Sequence, residues 1–258
     1  MEKATIAGGF FKVPMPWGLA SSGHTRTYIC ESIRTMAVDQ VEFIYTEKTV
    51  EWLFRCISRE RLQPYLVKAR GDEWVAFHLY IRNTDLSGAL FGLVQTLEVG
   101  LRNIVHQCMT DAFGTEEWWF KLPLHDAELN DIAEAQKNIS ARLKEVRPGR
   151  IVAELGFGFW VKLFANSYEK EIWVRYTNRV FPAKISRKML HDRLERLKEL
   201  RNRIAHHETL IKRDIPQDHA DMLETIGWLS VSLRRWAQSQ SHFDEVYARG
   251  LPKKTFQL

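Results

Sequence analysis

Apolar residues recur at three- and four-residue steps along most of this chain, and that period is the strongest constraint on its fold. One stripe runs through Leu190, Leu194, Leu197, Leu200 and Ile204; another joins Leu90, Leu93, Val94, Leu97, Leu101, Ile104 and Val105. Side chains so spaced share one face of an α-helix but alternate between the two faces of a strand, so only helices bury them together. No clear strand run, internal repeat or low-complexity segment competes. The pattern predicts an all-α protein with a single core. With 258 residues, 45% of them hydrophobic, including 9 Trp and 14 Phe, that core is expected to be large and aromatic-rich.

The same spacing orders the chain. Residues 1–40 hold Pro14, Pro16, Gly18, Ser21, Ser22 and Gly23 without periodicity and read as an irregular N-terminal arm. A helical domain is expected over 41–240 and a tail over 241–258. Within the domain, Val50, Leu53, Phe54 and Ile57 predict a helix, and Ser58 reads as the N-cap of the next. Capping residues at Asn83-Thr84-Asp85 predict a long helix to about Met109, ended by Gly114 and Trp118-Trp119-Phe120. A charged amphipathic stretch over 127–146 is closed by Arg147-Pro148-Gly149. Gly156-Phe157-Gly158 lacks the Lys-Ser/Thr of a phosphate loop and reads as a tight helix start. A last helix is expected from Gln217 to Trp236.

Composition removes several function classes. Cys30, Cys56 and Cys108 are odd in number and lack Cys-x-x-Cys spacing, which argues against a disulfide framework or a zinc ribbon and for a reducing, cytoplasmic setting. No stretch approaches the roughly 18 apolar residues of a membrane span. The formal net charge is only +5. Its distribution is uneven: from Lys184 to Arg203 eight basic residues face three acids, an excess equal to that of the whole chain. Lys184, Arg187, Lys188, Arg193 and Arg196 are the candidate RNA-binding side chains of this run, which leads directly into the chemistry-bearing cluster.

That cluster is Arg201-Asn202-Arg203-Ile204-Ala205-His206, followed by His207. A guanidinium that stabilises a charged phosphate, an amide that orients and an imidazole that moves a proton suffice for cutting RNA without metal or cofactor. Taking Leu190 as zero, Arg201 falls at about 20°, inside the apolar stripe, while Asn202 and His206 fall at about 120° and 160°. A cation on the buried side needs a partner or an interface. On a straight helix Arg201 and His206 do not share a face. Either the helix is distorted near Ile204-Ala205, or the Arg side chain wraps, or two copies join. Arg203 and His207 form their own four-apart pair, so His207 is the alternative imidazole. A metal-dependent hydrolase is poorly served, because the His pair has no spaced ligand companions.

An echo of the cluster stands in the earlier stripe: Glu98, Arg102, Asn103 and His106. Glu98 and Arg102 are four apart, and Arg102 and His106 share a face. These residues either pack against the C-terminal Arg/Asn/His helix, pairing Arg201 with Glu98, or line an RNA-binding cleft.

Leu200 to Glu208 resembles the Arg-x4-His signature of the HEPN superfamily in the form carried by Abi-like (abortive infection) bacterial proteins. Ile57 to Leu66, Leu79 to Asn83, Leu97 to Asn103, Trp118-Trp119 and Ala153 to Trp160 resemble Abi-like blocks in family order, over about residues 45–240. The resemblance implies a helical HEPN-like domain and a metal-independent endoribonuclease of a phage-defence or toxin system. It also implies a homodimer whose two motifs meet in one cleft; the restraint on such a nuclease stays open between a protein antitoxin, a regulatory noncoding RNA and a phage trigger. The implied reaction has the ribose 2′-hydroxyl attack its own phosphate, with His206 transferring a proton, Arg201 stabilising the phosphorane and Asn202 orienting. A non-catalytic RNA-binding or sensory HEPN-like module is the alternative.

Overall fold

The computed structural model describes residues 46–250, and within them every regular element is helical. The N-terminal arm and the last residues of the tail lie outside this range.

The described residues open with a helical hairpin, α1 (Glu47–Ile57) and α2 (Arg59–Lys68). Ser58 joins them, and its side chain accepts from the Arg61 amide at 3.3 Å, the expected N-cap. The axis of the molecule is α3 (Glu73–Phe113), 41 residues and roughly 60 Å long at 1.5 Å per residue. It begins ten residues before Asn83, because Asp72 supplies the cap by accepting from the Val75 amide at 3.0 Å. Asn83 and Thr84 lie inside the helix with their polar groups engaged elsewhere: Thr84 bonds back to the Tyr80 carbonyl, and Asn83 reaches across to another segment. Gly114 ends α3 in the left-handed conformation, at φ 66°, where glycine carries no Cβ penalty.

Next come α4 (Asp126–Ala141), α5 (Pro148–Glu154) and α6 (Phe157–Lys162). The expected closure at Arg147-Pro148-Gly149 is instead the start of α5, whose first turn accepts Pro148 because the missing N–H has no partner there. Gly156 is the N-cap of α6, the expected tight start. Short 3-10 and π turns lead to α7 (Arg187–Ala205), capped by the Ser186 hydroxyl, which accepts from the Met189 amide at 3.2 Å.

The last expected helix is two. Ser230, at φ −162° and ψ 127°, separates α8 (Ile215–Leu229) from α9 (Val231–Gln240), and its hydroxyl accepts from the Leu233 amide. The break turns α9 back onto α3 at Gly100, where a Cβ would lie 2.9 Å from a Leu233 methyl. The region read as a tail carries α10 (Phe243–Ala248), with Phe243 buried against His219 and Arg82 lying over Tyr247.

Burial follows the stripes. Leu90, Leu97, Leu101, Leu190, Leu194 and Leu200 are at most 2% exposed, and Trp118, Trp119, Trp160 and Phe164 fill the main core beside them. A second apolar cluster, from Val50 through Tyr65 to Phe77, lies under α1, α2 and the start of α3, and Ile211 packs against it. That contact brings the hairpin to the segment that follows α7.

Candidate functional site

Helix α7 ends on the motif. Its C-terminus forms two reverse hydrogen bonds, His207 N to Ile204 O at 3.1 Å and Glu208 N to Arg203 O at 2.7 Å, which together define a Schellman closure. His206 is the C-cap, at φ −95° and ψ 10°, and His207 occupies the next position in the left-handed region at φ 56°. The His206 amide still makes the regular helical bond, so the chain leaves the helix after His206, at the left-handed His207. Both imidazoles are exposed, as is Asn202, whose carbonyl accepts from the His206 amide at 2.9 Å. The second position of such a closure is usually glycine; another residue there costs about 1 kcal/mol or more.

Other contacts hold that backbone in place. Arg61 Nη1 donates to the His207 carbonyl at 2.9 Å. Asn83, buried within α3, accepts from Leu210 N at 2.7 Å through Oδ1 and donates to the Glu208 carbonyl at 3.4 Å through Nδ2. Arg203 pairs with Glu199 at 3.2 Å and with Glu208 at 3.6 Å, so it braces the turn.

One turn earlier, Arg201 meets the partner that its place on the apolar stripe demands: its Nε lies 3.3 Å from Glu98 Oε2, and its Nη1 lies 3.5 Å from Asn202 Oδ1. The pair is part-exposed and lines a groove of about 240 Å³ between α3 and α7, with Phe91, Val99, Arg102 and Ala205 among its walls. Glu98 thus serves α7, and Arg102 turns to its neighbour Asn103, at 3.3 Å from Nε to Oδ1.

His106 is not part of this groove. Its Nδ1 accepts from the Trp118 indole at 3.0 Å, and burial pushes its pKa below the usual imidazole value against a smaller opposing pull from Glu116. The echo of the motif on α3 therefore divides: Glu98 and Arg102 line the groove, Asn103 faces a larger apolar one between α3 and α9, and His106 supports the tryptophan core.

The basic run also divides. Arg187 is 8% exposed and donates to the Phe164 carbonyl at 2.8 Å and to Asn166 Oδ1 at 2.9 Å. Arg193 is sunk between Asp221 and Glu224, with its guanidinium over the Trp228 ring, and Arg196 also bonds Asp221, at 3.0 Å. Arg187, buried, and Arg193, nearly so, are a correction to the expected RNA-binding face: α7 turns them inward, where carbonyls and carboxylates take their charge, while Arg196 stays exposed. Lys184 and Lys188 are exposed, Lys188 beside Asp192 at 2.6 Å.

Arg61, Asn83 and Phe91 escaped the sequence reading. Ser58-Arg59-Glu60-Arg61 was legible as a helix start, but nothing in its spacing reports a bond to a carbonyl 146 positions away. No family model matches the chain, and no curated protein or solved structure matches it. Among the described residues no helix is long and apolar enough to cross a membrane, and no group of three His, Cys, Asp or Glu side chains gathers as a metal site.

Proposed function

We propose that this chain is a metal-independent endoribonuclease of the Abi-like HEPN kind, acting in phage defence or as a toxin. The observation that supports the reading is at the end of α7: Arg201, held by Glu98 at 3.3 Å, lines an open groove, and an exposed His206 follows five residues later on a braced helix terminus. In the reaction, the 2′-oxygen attacks the adjacent phosphorus and the bond to the 5′-oxygen breaks. His206 transfers a proton, Arg201 stabilises the charge on the phosphorane and Asn202 orients the reacting groups. The product carries a 2′,3′-cyclic phosphate, and DNA, lacking the hydroxyl, is not a substrate.

A homodimer is part of the proposal. A two-fold pairing needs one self-complementary patch, and this groove gathers an acid (Glu98), two cations (Arg102 and Arg201) and the exposed Phe91. Pairing there brings two motifs to one RNA strand. An antitoxin or a regulatory noncoding RNA is the proposed restraint.

The test is purified protein with total RNA in EDTA. Cleavage is expected to survive chelation and to fall about 10²-fold or more in Arg201→Ala and in His206→Ala. Cleavage that needs magnesium, or that persists in both variants, defeats the mechanism. A second reading has its own observation: the Arg201–Glu98 pair is also what a purely structural ion pair looks like, and it favours a non-catalytic RNA-binding or sensory module. RNA binding without cleavage selects that reading.

A further inference from the structure

We propose that His207 is a second functional imidazole of this site, the proton donor to the departing 5′-oxygen, and that Arg61 positions it; the assignment rests on the nuclease reading above. The starting observation is a residue in the wrong place for stability. His207 takes the left-handed position of the Schellman closure, φ 56°, where glycine fits without a Cβ penalty. Its side chain is exposed, so no core packing compensates. Strain kept at an exposed residue with proton-transfer chemistry points to function.

That strain is locked in. The His207 amide bonds Ile204 O at 3.1 Å, and the His207 carbonyl receives Arg61 Nη1 at 2.9 Å. The backbone from which Arg61 reaches is set by the start of α2, where its amide donates to the Ser58 hydroxyl cap. One and three residues on, the Asn83 carboxamide grips Glu208 O and Leu210 N. With the backbone bonded on both sides of its Cα, the direction in which His207 leaves the turn is set by α2 and α3 as well as by α7.

The chemistry needs such a group. Transesterification moves two protons, one off the 2′-oxygen and one onto the 5′-oxygen. As the O2′–P bond forms and the P–O5′ bond breaks, the neutral His206 imidazole takes the first proton and the His207 imidazolium gives the second. No other reactant enters, and the adjacent imidazoles end with their protonation states exchanged.

A bridging sulfur separates the two roles, because a thiolate leaves without a proton. The substrates are two oligoribonucleotides carrying a mapped cleavage site, one with oxygen and one with sulfur at the 5′-bridging position. Wild-type protein is expected to cut both, and His206→Ala to lose both. His207→Ala and His207→Gly are expected to lose about 10²-fold on the oxygen substrate and to keep the sulfur one. His207→Gly should also melt at the same or a higher temperature than wild type, which a residue kept for structure would not do. Arg61→Ala should lower kcat on the oxygen substrate more than it raises KM, with partial rescue by Arg61→Lys. If His207→Gly cuts the oxygen substrate at the wild-type rate, or loses both substrates equally, the assignment falls while the nuclease reading stands. A wild-type protein that cuts neither substrate sinks both.

Discussion

Asn83 spends both ends of its carboxamide on the segment after α7, with Oδ1 on the Leu210 amide and Nδ2 on the Glu208 carbonyl, while its own backbone runs through the middle of α3. Asn83→Ala leaves a buried N–H unpaired and is expected to cost about 1–3 kcal/mol. Urea denaturation checks this: the midpoint should fall with the slope unchanged. Asn83→Asp keeps the acceptor for Leu210 but sets a buried carboxylate oxygen against the Glu208 carbonyl, and should cost at least as much. At this scale the sequence was half legible. Asn83-Thr84-Asp85 has the composition of a helix cap, yet a side chain's choice between a local backbone partner and one 127 positions away is not written in its neighbours. Arg201 was more legible, because a cation at about 20° on an apolar stripe must be answered, and Glu98 was an available acid of the facing helix.

Helix α7 does two things with one charge-rich sequence. Its inward edge uses Arg187 and Arg193 to tie α7 to the Phe164–Asn166 turn and to α8, and its outward edge leaves Lys188 exposed, as is Lys184 in the turn before it. Arg187→Ala is expected to destabilise by about 1.5–3 kcal/mol, the range for bonds made by a charged donor. The double variant Lys184→Ala/Lys188→Ala should stay within about 0.5 kcal/mol of wild type. Thermal melts of the two variants check the contrast. The lysine variant alone then tests RNA contact cleanly, through a flatter salt dependence of binding. The apolar face of α7 was fully legible, since every residue of its stripe is buried. The division of its basic residues was not, because a net charge summed along a helix says nothing of which cations meet a carboxylate on another one. The break at Ser230 escaped for a related reason: the apolar spacing continues through it, and only the hydroxyl that caps α9 interrupts the helix.

Over the whole molecule, α3 carries the consequences. It holds the α1–α2 hairpin at one end, the main core along its length and the groove with Arg201 at its middle, so the motif turn is braced from both clusters. The proposed pairing across the groove predicts a mass in solution, by light scattering at micromolar concentration, of twice the chain. Phe91→Asp places a charge where the second copy would seat and should yield monomer with unchanged melting, because Phe91 is 54% exposed. A wild-type monomer that cleaves RNA in linear proportion to enzyme would refute the two-chain site. By itself the sequence determined the helical class, the buried stripes, the Ser58, Gly114 and Gly156 boundaries, and the need to answer Arg201. These follow from period and local backbone preference, which a chain carries in its neighbouring residues. Tertiary structure alone decided that the turn after α7 is held by Arg61 and Asn83, and that Arg187 and Arg193 of the basic run are spent inside the fold. Each of these depends on groups far apart in the chain, whose meeting is set by how the helices pack and leaves no periodic trace.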